Sequence, residues 1–353
     1  MKICFVLPKF TRQPIGGYKI VFEYANRFVS EGNEVSIVFV NDDALQQFHI
    51  PKCIKRIIST CITMIEPKWF PLDDSIKKIS STVPGYIKRV EDYDVVFATG
   101  IQTVKIVRDN FLKSKKFYLI QGYENWGVTE EYLLKTYNCG LINITVSSWL
   151  KQIVDGNSNK EAYLLKNPID VNVYTNIVNQ KNRKAHTIGL LYHTEPIKGL
   201  KYAFQALYKI KEKVNDLEVE MFGMFPKPES IPEWIHYKRG ATTSETVEIY
   251  NKVQVFLCAS IEEGYGLTGL EAMACGACLV STAYKGVLEY AVDNVNALLS
   301  PVKNVDGLVR NVMRLFDSEE ERLRISTAGV ESVKQYSWDE TMKKMNGYIK
   351  EVD

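Results

Sequence analysis

Two glutamates, Glu263 and Glu271, flank a glycine-rich stretch with seven residues between them. The apolar run 255–259 predicts a buried parallel strand, and the glycines after it predict a strand-to-helix loop. Such a loop presents backbone N–H groups and the positive end of a helix dipole, which together bind phosphate. Carboxylates repel phosphate but accept hydrogen bonds from hydroxyls. The pattern therefore predicts a ligand that carries phosphate and polyol together, which is a nucleotide sugar.

Each carboxylate also has a purely structural explanation. Thr268 and Glu271 have the spacing of a capping box, in which Glu271 would bond the N-terminal amide of its own helix. Glu263 alone would be an ordinary solvated loop residue. Because isolated motif matches often occur by chance, the binding interpretation depends on the two glutamates and the glycines occurring together.

The segment resembles the donor-binding signature of the family 4 retaining glycosyltransferases, which have the GT-B fold. In that family, two glutamates with this spacing follow a small-residue strand end, here Ala259-Ser260. Weaker matches follow the family's order along nearly the whole chain. These are Gly16-Gly17, Asn167-Pro-Ile-Asp170, Lys198-Gly199 and Tyr336-Ser-Trp-Asp339.

Strand and helix patterns alternate in both halves of the chain, which predicts two parallel sheets covered by helices. A chain of 353 residues is long enough for two such domains. The resemblance implies the GT-B arrangement, in which two doubly wound Rossmann-like domains face a central cleft. We expect an N-terminal acceptor-side domain at 1–170, joined by a final helix at 337–353, and a donor-binding domain at 171–336.

Periodicity gives the expected elements. Gly16-Gly17 is expected to form a loop before a helix at 20–31, and the stretch 42–93 an irregular segment that contains helix. The expected strands lie at 2–7, 35–40, 95–98, 117–121, 142–146, 163–166, 187–192, 219–222, 235–237, 255–259, 279–280 and 297–299.

The resemblance also implies residue roles. Lys198 matches the family's phosphate-binding lysine, while Tyr192 and His193 stand where the family has an arginine, and Gln121 where many members have a histidine. Glu263 is expected to contact the transferred sugar and Glu271 the ribose. The expected catalytic residues are Glu263, Lys198 and Gln121; the donor-binding residues are Gly17, Tyr192, His193, Gly223, Gly264, Tyr265, Gly266, Leu267, Thr268 and Glu271; and the acceptor-side residues are Gly16, Tyr123 and Trp126.

No metal or other cofactor is expected, because glycine amides and a lysine can neutralise the leaving diphosphate. Asp92-Tyr-Asp94 has the DxD spacing of metal sites in the other glycosyltransferase fold, but its place at a strand entry predicts a capping or surface role. Cys275 and Cys278 form a CxxC at a helix end instead of a helix start, which predicts packing and not redox chemistry.

Charge and composition restrict the partners. The net charge is +2, with 22 basic and 17 acidic residues up to Lys166 and 22 against 25 after it. Lys52 to Arg89 carries eight basic and three acidic residues, so segment 41–89 is expected to face the acceptor and to offer a peripheral membrane contact. No motif supports nucleic-acid binding. Short apolar runs and seven scattered cysteines favour a cytoplasmic protein.

The expected function is the transfer of a sugar from a nucleoside diphosphate sugar to a lipid-linked or glycan acceptor in polysaccharide or glycolipid assembly. Family analogy alone supplies the pathway. Two alternatives stay open. One is a GT-B sugar-nucleotide epimerase, and the other is a nucleotide-sugar-binding accessory subunit without activity, for which the missing arginine and histidine argue.

Overall fold

The computed structural model describes residues 1–41, 48–81, 92–125, 127–229 and 231–352. Within them, the chain forms two compact units, Met1–Lys166 with Thr341–Asp353 and Asn167–Glu340. Each unit is built on one parallel sheet, so the expected pair of Rossmann-like domains is confirmed.

Unit 1 contains seven parallel strands in the order β3-β2-β1-β4-β5-β6-β7. Its central strands are largely apolar because helices cover both faces of the sheet. The strands are β1 Lys2–Leu7, β2 Glu34–Val40, β3 Lys77–Ser81, β4 Val95–Ala98, β5 Lys115–Ile120, β6 Ile142–Thr145 and β7 Tyr163–Leu164. The helices are α1 Gly16–Ser30, α2 Lys52–Ile65, α3 Ile101–Asn110, α4 Glu130–Thr136 and α5 Ser148–Asp155.

Unit 2 contains six parallel strands in the order β10-β9-β8-β11-β12-β13. Ile188, Val255 and Val280 from its three central strands lie in one fully buried core cluster. The strands are β8 Thr187–Tyr192, β9 Glu218–Gly223, β10 Ile235–Arg239, β11 Val255–Cys258, β12 Cys278–Thr282 and β13 Leu298–Ser300. The helices are α6 Leu200–Lys211, α7 Thr243–Lys252, α8 Leu267–Ala274, α9 Val305–Asp317 and α10 Glu319–Val333, and α11 Trp338–Glu351 follows them.

The final helix, α11, begins in unit 2 and continues into unit 1. The Tyr348 ring stacks on Tyr163 with centroids 4.1 Å apart, and its hydroxyl donates to the Leu164 carbonyl at 3.0 Å. Lys115 Nζ donates to the Ile349 carbonyl at 3.3 Å. The C-terminal part of the helix is thus fixed at the β7 edge of the first sheet.

Two local expectations were wrong. Gly16 and Gly17 do not form a loop but open α1, where Lys19 N donates to the Ile15 carbonyl at 2.9 Å. Residues 77–81 form a strand, β3, that pairs in parallel with β2. An edge strand needs little apolar sequence because one of its edges stays in water. The two lysines of β3 therefore left the segment without the apolar pattern from which strands are predicted.

None of the helices in the described part of the chain combines the length and the hydropathy that crossing a bilayer requires.

Candidate functional site

Lys198 is held at the carboxyl end of β11 by a close backbone approach. Gly199 has φ of +64°, and a Cβ there would lie 1.9 Å from the Ala259 carbonyl oxygen, so only glycine fits. The Ile261 amide also donates to the Ile197 carbonyl at 2.7 Å. The loop before α6 is therefore anchored to the loop after β11, and the Lys198 side chain meets the residues that follow this strand.

Lys198 and Glu263 form an ion pair with Nζ and Oε2 3.0 Å apart. The other carboxylate oxygen, Oε1, accepts the Ser260 hydroxyl at 2.6 Å. The Lys198 side chain is 25% exposed and that of Glu263 only 12%. The structure thus brings together two of the three expected catalytic residues, and it adds Ser260, which the sequence indicated only as part of a strand end.

Gly266 forms the N-cap of α8 without a side-chain cap. Its φ is +91°, and a Cβ there would lie 2.0 Å from Tyr284 Oη. The Tyr290 hydroxyl donates to the Gly266 carbonyl at 2.6 Å and fixes the turn. A helix leaves its first N–H groups without intrahelical partners, and serine or aspartate at the N-cap would satisfy one of them. Glycine has no side chain that could accept a hydrogen bond from the amides of Leu267 and Thr268. These amides lie at the positive end of the helix dipole, where anions bind.

The same groups surround a small cavity of about 20 Å³. Lys198, Ser260, Glu263 and Thr268 line its polar side, and Leu190 and Phe256 are among its apolar walls. The cavity holds roughly one water molecule. The Lys198 ammonium, the Glu263 carboxylate and the first turn of α8 therefore border the same cavity.

Glu271 does not form the capping box that its spacing allowed. Because α8 begins at Leu267, Thr268 is its second residue and Glu271 lies in the second turn, not the first. The Glu271 side chain is buried, and Oε2 accepts the Tyr250 hydroxyl at 3.1 Å. Tyr250 comes from α7, a partner that no sequence pattern indicated.

Tyr192, His193 and Gly223 meet at the ends of β8 and β9. The Tyr192 ring packs edge-on against Phe225 and Tyr237, and His193 packs edge-on against Phe225 with centroids 4.9 Å apart. A Cβ on Gly223 would lie 2.3 Å from the Tyr192 carbonyl oxygen. Burial, and secondly the charge of Lys198, lower the pKa of His193, which favours the neutral form of this side chain near pH 7.

Gly264 and Tyr265 complete the loop before α8. Tyr265 is buried against Tyr290 with ring centroids 5.5 Å apart, so its side chain is not available to a ligand. A Cβ on Gly286 would lie 2.6 Å from the Glu263 carbonyl oxygen and 2.8 Å from the Tyr265 nitrogen. Gly286 therefore supports the loop from behind, although nothing in the sequence marked it.

Among the expected residues of unit 1, Gln121 and Gly17 contact each other. Gln121 Nε2 donates to the Gly17 carbonyl at 3.2 Å, so Gln121 contacts the first turn of α1, which Gly16 begins. The Tyr123 hydroxyl donates to Glu130 Oε1 at 2.5 Å. Trp126 lies outside the described residues.

Glu124 is a buried carboxyl group to which the sequence analysis gave no role. Its Oε2 accepts the Ile101 amide, the first of α3, at 2.5 Å. Burial raises the pKa of Glu124 to about 7, and the hydrogen bond from Ile101 opposes this shift. Only its position in the run after β5 could have indicated it, because burial cannot be read from the sequence.

The DxD motif at Asp92 and Asp94 and the CxxC motif at Cys275 and Cys278 have structural roles. Asp94 Oδ2 accepts the Lys2 amide at 2.7 Å, and Asp92 pairs with Lys113 at 3.5 Å on the surface. Burial raises the pKa of both Cys275 and Cys278 to about 12, so neither thiol is reactive. Among the residues that the structure describes, no cluster of three or more His, Cys, Asp or Glu could hold a metal ion.

Comparison with known proteins gives similarity to glycosyltransferases. Residues 176–332 match the family model described as Glycosyl transferases group 1. The chain is 30% identical over 95 residues to an uncharacterized glycosyltransferase of Methanocaldococcus jannaschii, covering 27% of each chain. It is 26% identical over 143 residues to the N,N'-diacetylbacillosaminyl-diphospho-undecaprenol alpha-1,3-N-acetylgalactosaminyltransferase of Campylobacter jejuni, covering 39% of this chain and 38% of that one. The chain therefore spans well under half the length of these curated relatives.

Similarity in structure extends over the whole chain. Anabaena HepE, solved in complex with UDP-glucose, superposes with a TM-score of 0.78 at 13% identity and covers 100% of both chains. The protein has the GT-B fold of these glycosyltransferases.

Proposed function

We propose that the protein is a glycosyltransferase that moves a sugar from a nucleoside diphosphate sugar to a glycan or lipid-linked acceptor. The observation that carries the proposal is the Lys198–Glu263 ion pair beside the glycine-capped start of α8. The family match supports it, because residues 176–332 contain this whole arrangement.

We expect the ion pair to open when the donor binds, because Lys198 and Glu263 then each take a new partner from the donor. A diphosphate carries more charge than one carboxylate, so it competes with Glu263 for the Lys198 ammonium. Once released, Glu263 accepts hydrogen bonds from hydroxyls of the sugar and remains oriented by Ser260. Lys198 and the amides of Leu267 and Thr268 then stabilise the charge that develops on the leaving diphosphate. No metal is needed for this step, because these groups provide the positive potential.

Retention of anomeric configuration and membership in family 4 are further parts of the proposal. Both rest on the resemblance of the segment from Glu263 to Glu271 to the donor-binding signature of that family. In such enzymes the donor's own phosphate takes the acceptor proton, which is compatible with Gln121 replacing a histidine because an amide cannot act as a base. Glu271, buried on α8 and hydrogen-bonded to Tyr250, is assigned to the ribose hydroxyls.

Two observations support the proposed acceptor and compartment. The Campylobacter relative, by its name, transfers a sugar to a diphospho-undecaprenol acceptor, which favours a lipid-linked substrate here as well. All seven cysteines are free, which agrees with a reducing, cytoplasmic environment.

Donor hydrolysis in water tests the proposal and separates it from its alternatives. The wild-type protein is incubated with UDP-, GDP- and ADP-sugars, and the release of nucleoside diphosphate and free sugar is followed by NMR. A retaining transferase slowly releases free sugar that first appears in the donor's anomeric configuration. An accessory subunit binds the nucleotide without release, and an epimerase changes the sugar's stereochemistry. Either of the last two results contradicts the proposal.

A further inference from the structure

Helix α2 exposes its apolar residues and buries two polar ones on the opposite side. Its apolar residues recur with helical spacing, so they form one stripe. Between 36% and 67% of each large side chain in the stripe is exposed, and Cys61 extends it. The large residues are Ile54, Ile57, Ile58, Met64 and Ile65. An ordinary surface helix shows the opposite arrangement.

Specific contacts fix this orientation. Ser59 and Thr63 are buried on the inner face, and Thr63 Oγ1 accepts Asn41 Nδ2 at 3.1 Å. Lys78 Nζ donates to the Met64 carbonyl at 2.6 Å and to the Glu66 carbonyl at 2.9 Å, which satisfies the C-terminal end of the helix. The stripe is therefore held outward by the Asn41–Thr63 hydrogen bond on the opposite face and by Lys78 at the C-terminal end. These contacts also give Lys78, which was expected to face an acceptor or membrane, a structural role.

The charge around the stripe selects its partner. Between Phe48 and Ile65 the sequence carries Lys52, Lys55 and Arg56 and no acidic residue. A second copy of this chain, packed by two-fold symmetry, would place two such basic helices against each other, which like charges oppose. An anionic lipid surface accepts both the apolar stripe and the basic residues.

We propose that α2 inserts its apolar stripe into the surface of an anionic bilayer and lies in the membrane plane. The helix is about 21 Å long at 1.5 Å per residue, too short to span a bilayer but sufficient to lie along its interface. This inference goes beyond the proposed function and does not depend on it, because lipid binding requires neither donor nor acceptor.

Vesicle co-sedimentation of the full chain tests the inference. Vesicles of one part phosphatidylglycerol to two parts phosphatidylcholine are used without nucleotide. The double variant Ile57→Ser/Met64→Ser should reduce partitioning on the order of 10-fold for each side chain removed. The matched control is Leu112→Ser/Ile177→Ser, which removes two side chains that are 77% and 67% exposed elsewhere. The control should bind like the wild-type protein. Equal binding of all three proteins, or no wild-type binding at low ionic strength, overturns the inference.

A probe on the helix gives a second readout. Cys61 is exposed on the stripe, so an environment-sensitive dye is attached there in a Cys53→Ser/Cys139→Ser background. Quenching by a label within the lipid acyl chains is expected, and an absence of quenching would contradict insertion. Sedimentation velocity without lipid supplies the competing outcome, since a dimer that Ile57→Ser/Met64→Ser dissociates would show that a second copy covers the stripe.

The two proposals fail independently. Donor hydrolysis without vesicles should be the same in Ile57→Ser/Met64→Ser and in the wild-type protein, because the donor groups Lys198 and Glu263 lie in unit 2. Loss of vesicle binding with intact hydrolysis supports the role of α2. Vesicle binding without any hydrolysis contradicts only the proposed function.

Discussion

The ammonium of Lys198 lies 3.0 Å from the carboxylate of Glu263, and both side chains are mostly buried. The pair joins the loop before α6 to the loop after β11, at the point where Gly199 allows the two backbones to touch. A partly buried ion pair of this kind matters more than an exposed one, because removing either partner leaves the other charge poorly solvated. Its position beside the start of α8 is the basis of the predictions on unit 2.

Replacing Lys198 with alanine should reduce turnover by about 10²- to 10³-fold, because it removes a preorganised cation from the leaving diphosphate. Steady-state kinetics measures the loss. The matched control is Lys209→Ala on α6, whose ammonium pairs with Asp306 at 2.7 Å on the surface. The control should retain full activity. Near-full turnover in Lys198→Ala would show that another group stabilises the diphosphate.

Glu263→Gln should reduce turnover without weakening the binding of free nucleoside diphosphate. The amide no longer neutralises Lys198, so nucleotide affinity should be unchanged or higher, while hydrogen bonds to the sugar weaken. Calorimetric titration gives the affinity and initial rates give kcat/KM. A parallel fall in both quantities would contradict contact between Glu263 and the sugar.

Glu271→Gln should weaken nucleotide affinity by about 10-fold, because one charge-assisted hydrogen bond to the ribose is lost. Its amide oxygen still accepts the Tyr250 hydroxyl, so the melting temperature should hardly change. Tyr250→Phe is the control, since it removes the internal bond but leaves the carboxylate. If Glu271→Gln binds nucleotide normally, the ribose role is wrong.

Glu124 should make stability depend on pH between about 4.5 and 7. Burial raises its pKa in the folded chain from 4.5 to about 7, so the folded state binds this proton more tightly than the unfolded state. The resulting stabilisation is fully present below pH 4.5 and is lost as the pH rises through 7. The shift corresponds to roughly 3 kcal/mol at most. Urea unfolding of wild type and Glu124→Gln at several pH values should show this extra loss only in the wild type, and parallel curves would refute it.

Strand positions were largely predictable because buried parallel strands are continuous apolar runs. The predicted bounds of β1 and β8 agree with the structure. β3 was missed because an edge strand with the sequence Lys-Lys-Ile-Ser-Ser carries little apolar signal.

The site was predictable as a loop but not as a set of contacts. The segment from Glu263 to Glu271 gave the loop and the helix, and the glycines gave the turn. The partners of its carboxylates, Ser260 and Tyr250, depend on how the loop after β11 folds and how α7 packs on α8, which a linear pattern does not encode. The burial of Glu124 and the outward face of α2 have the same tertiary origin.

A crystal structure with bound nucleoside diphosphate tests the central claim most directly. The ligand is whichever of UDP, GDP and ADP gives the largest thermal shift. We predict that its terminal phosphate accepts hydrogen bonds from the amides of Leu267 and Thr268 and from the Lys198 ammonium at about 2.7–3.1 Å. We also predict that the Lys198–Glu263 ion pair is open in this complex. A diphosphate bound elsewhere, with that ion pair intact, would contradict the account.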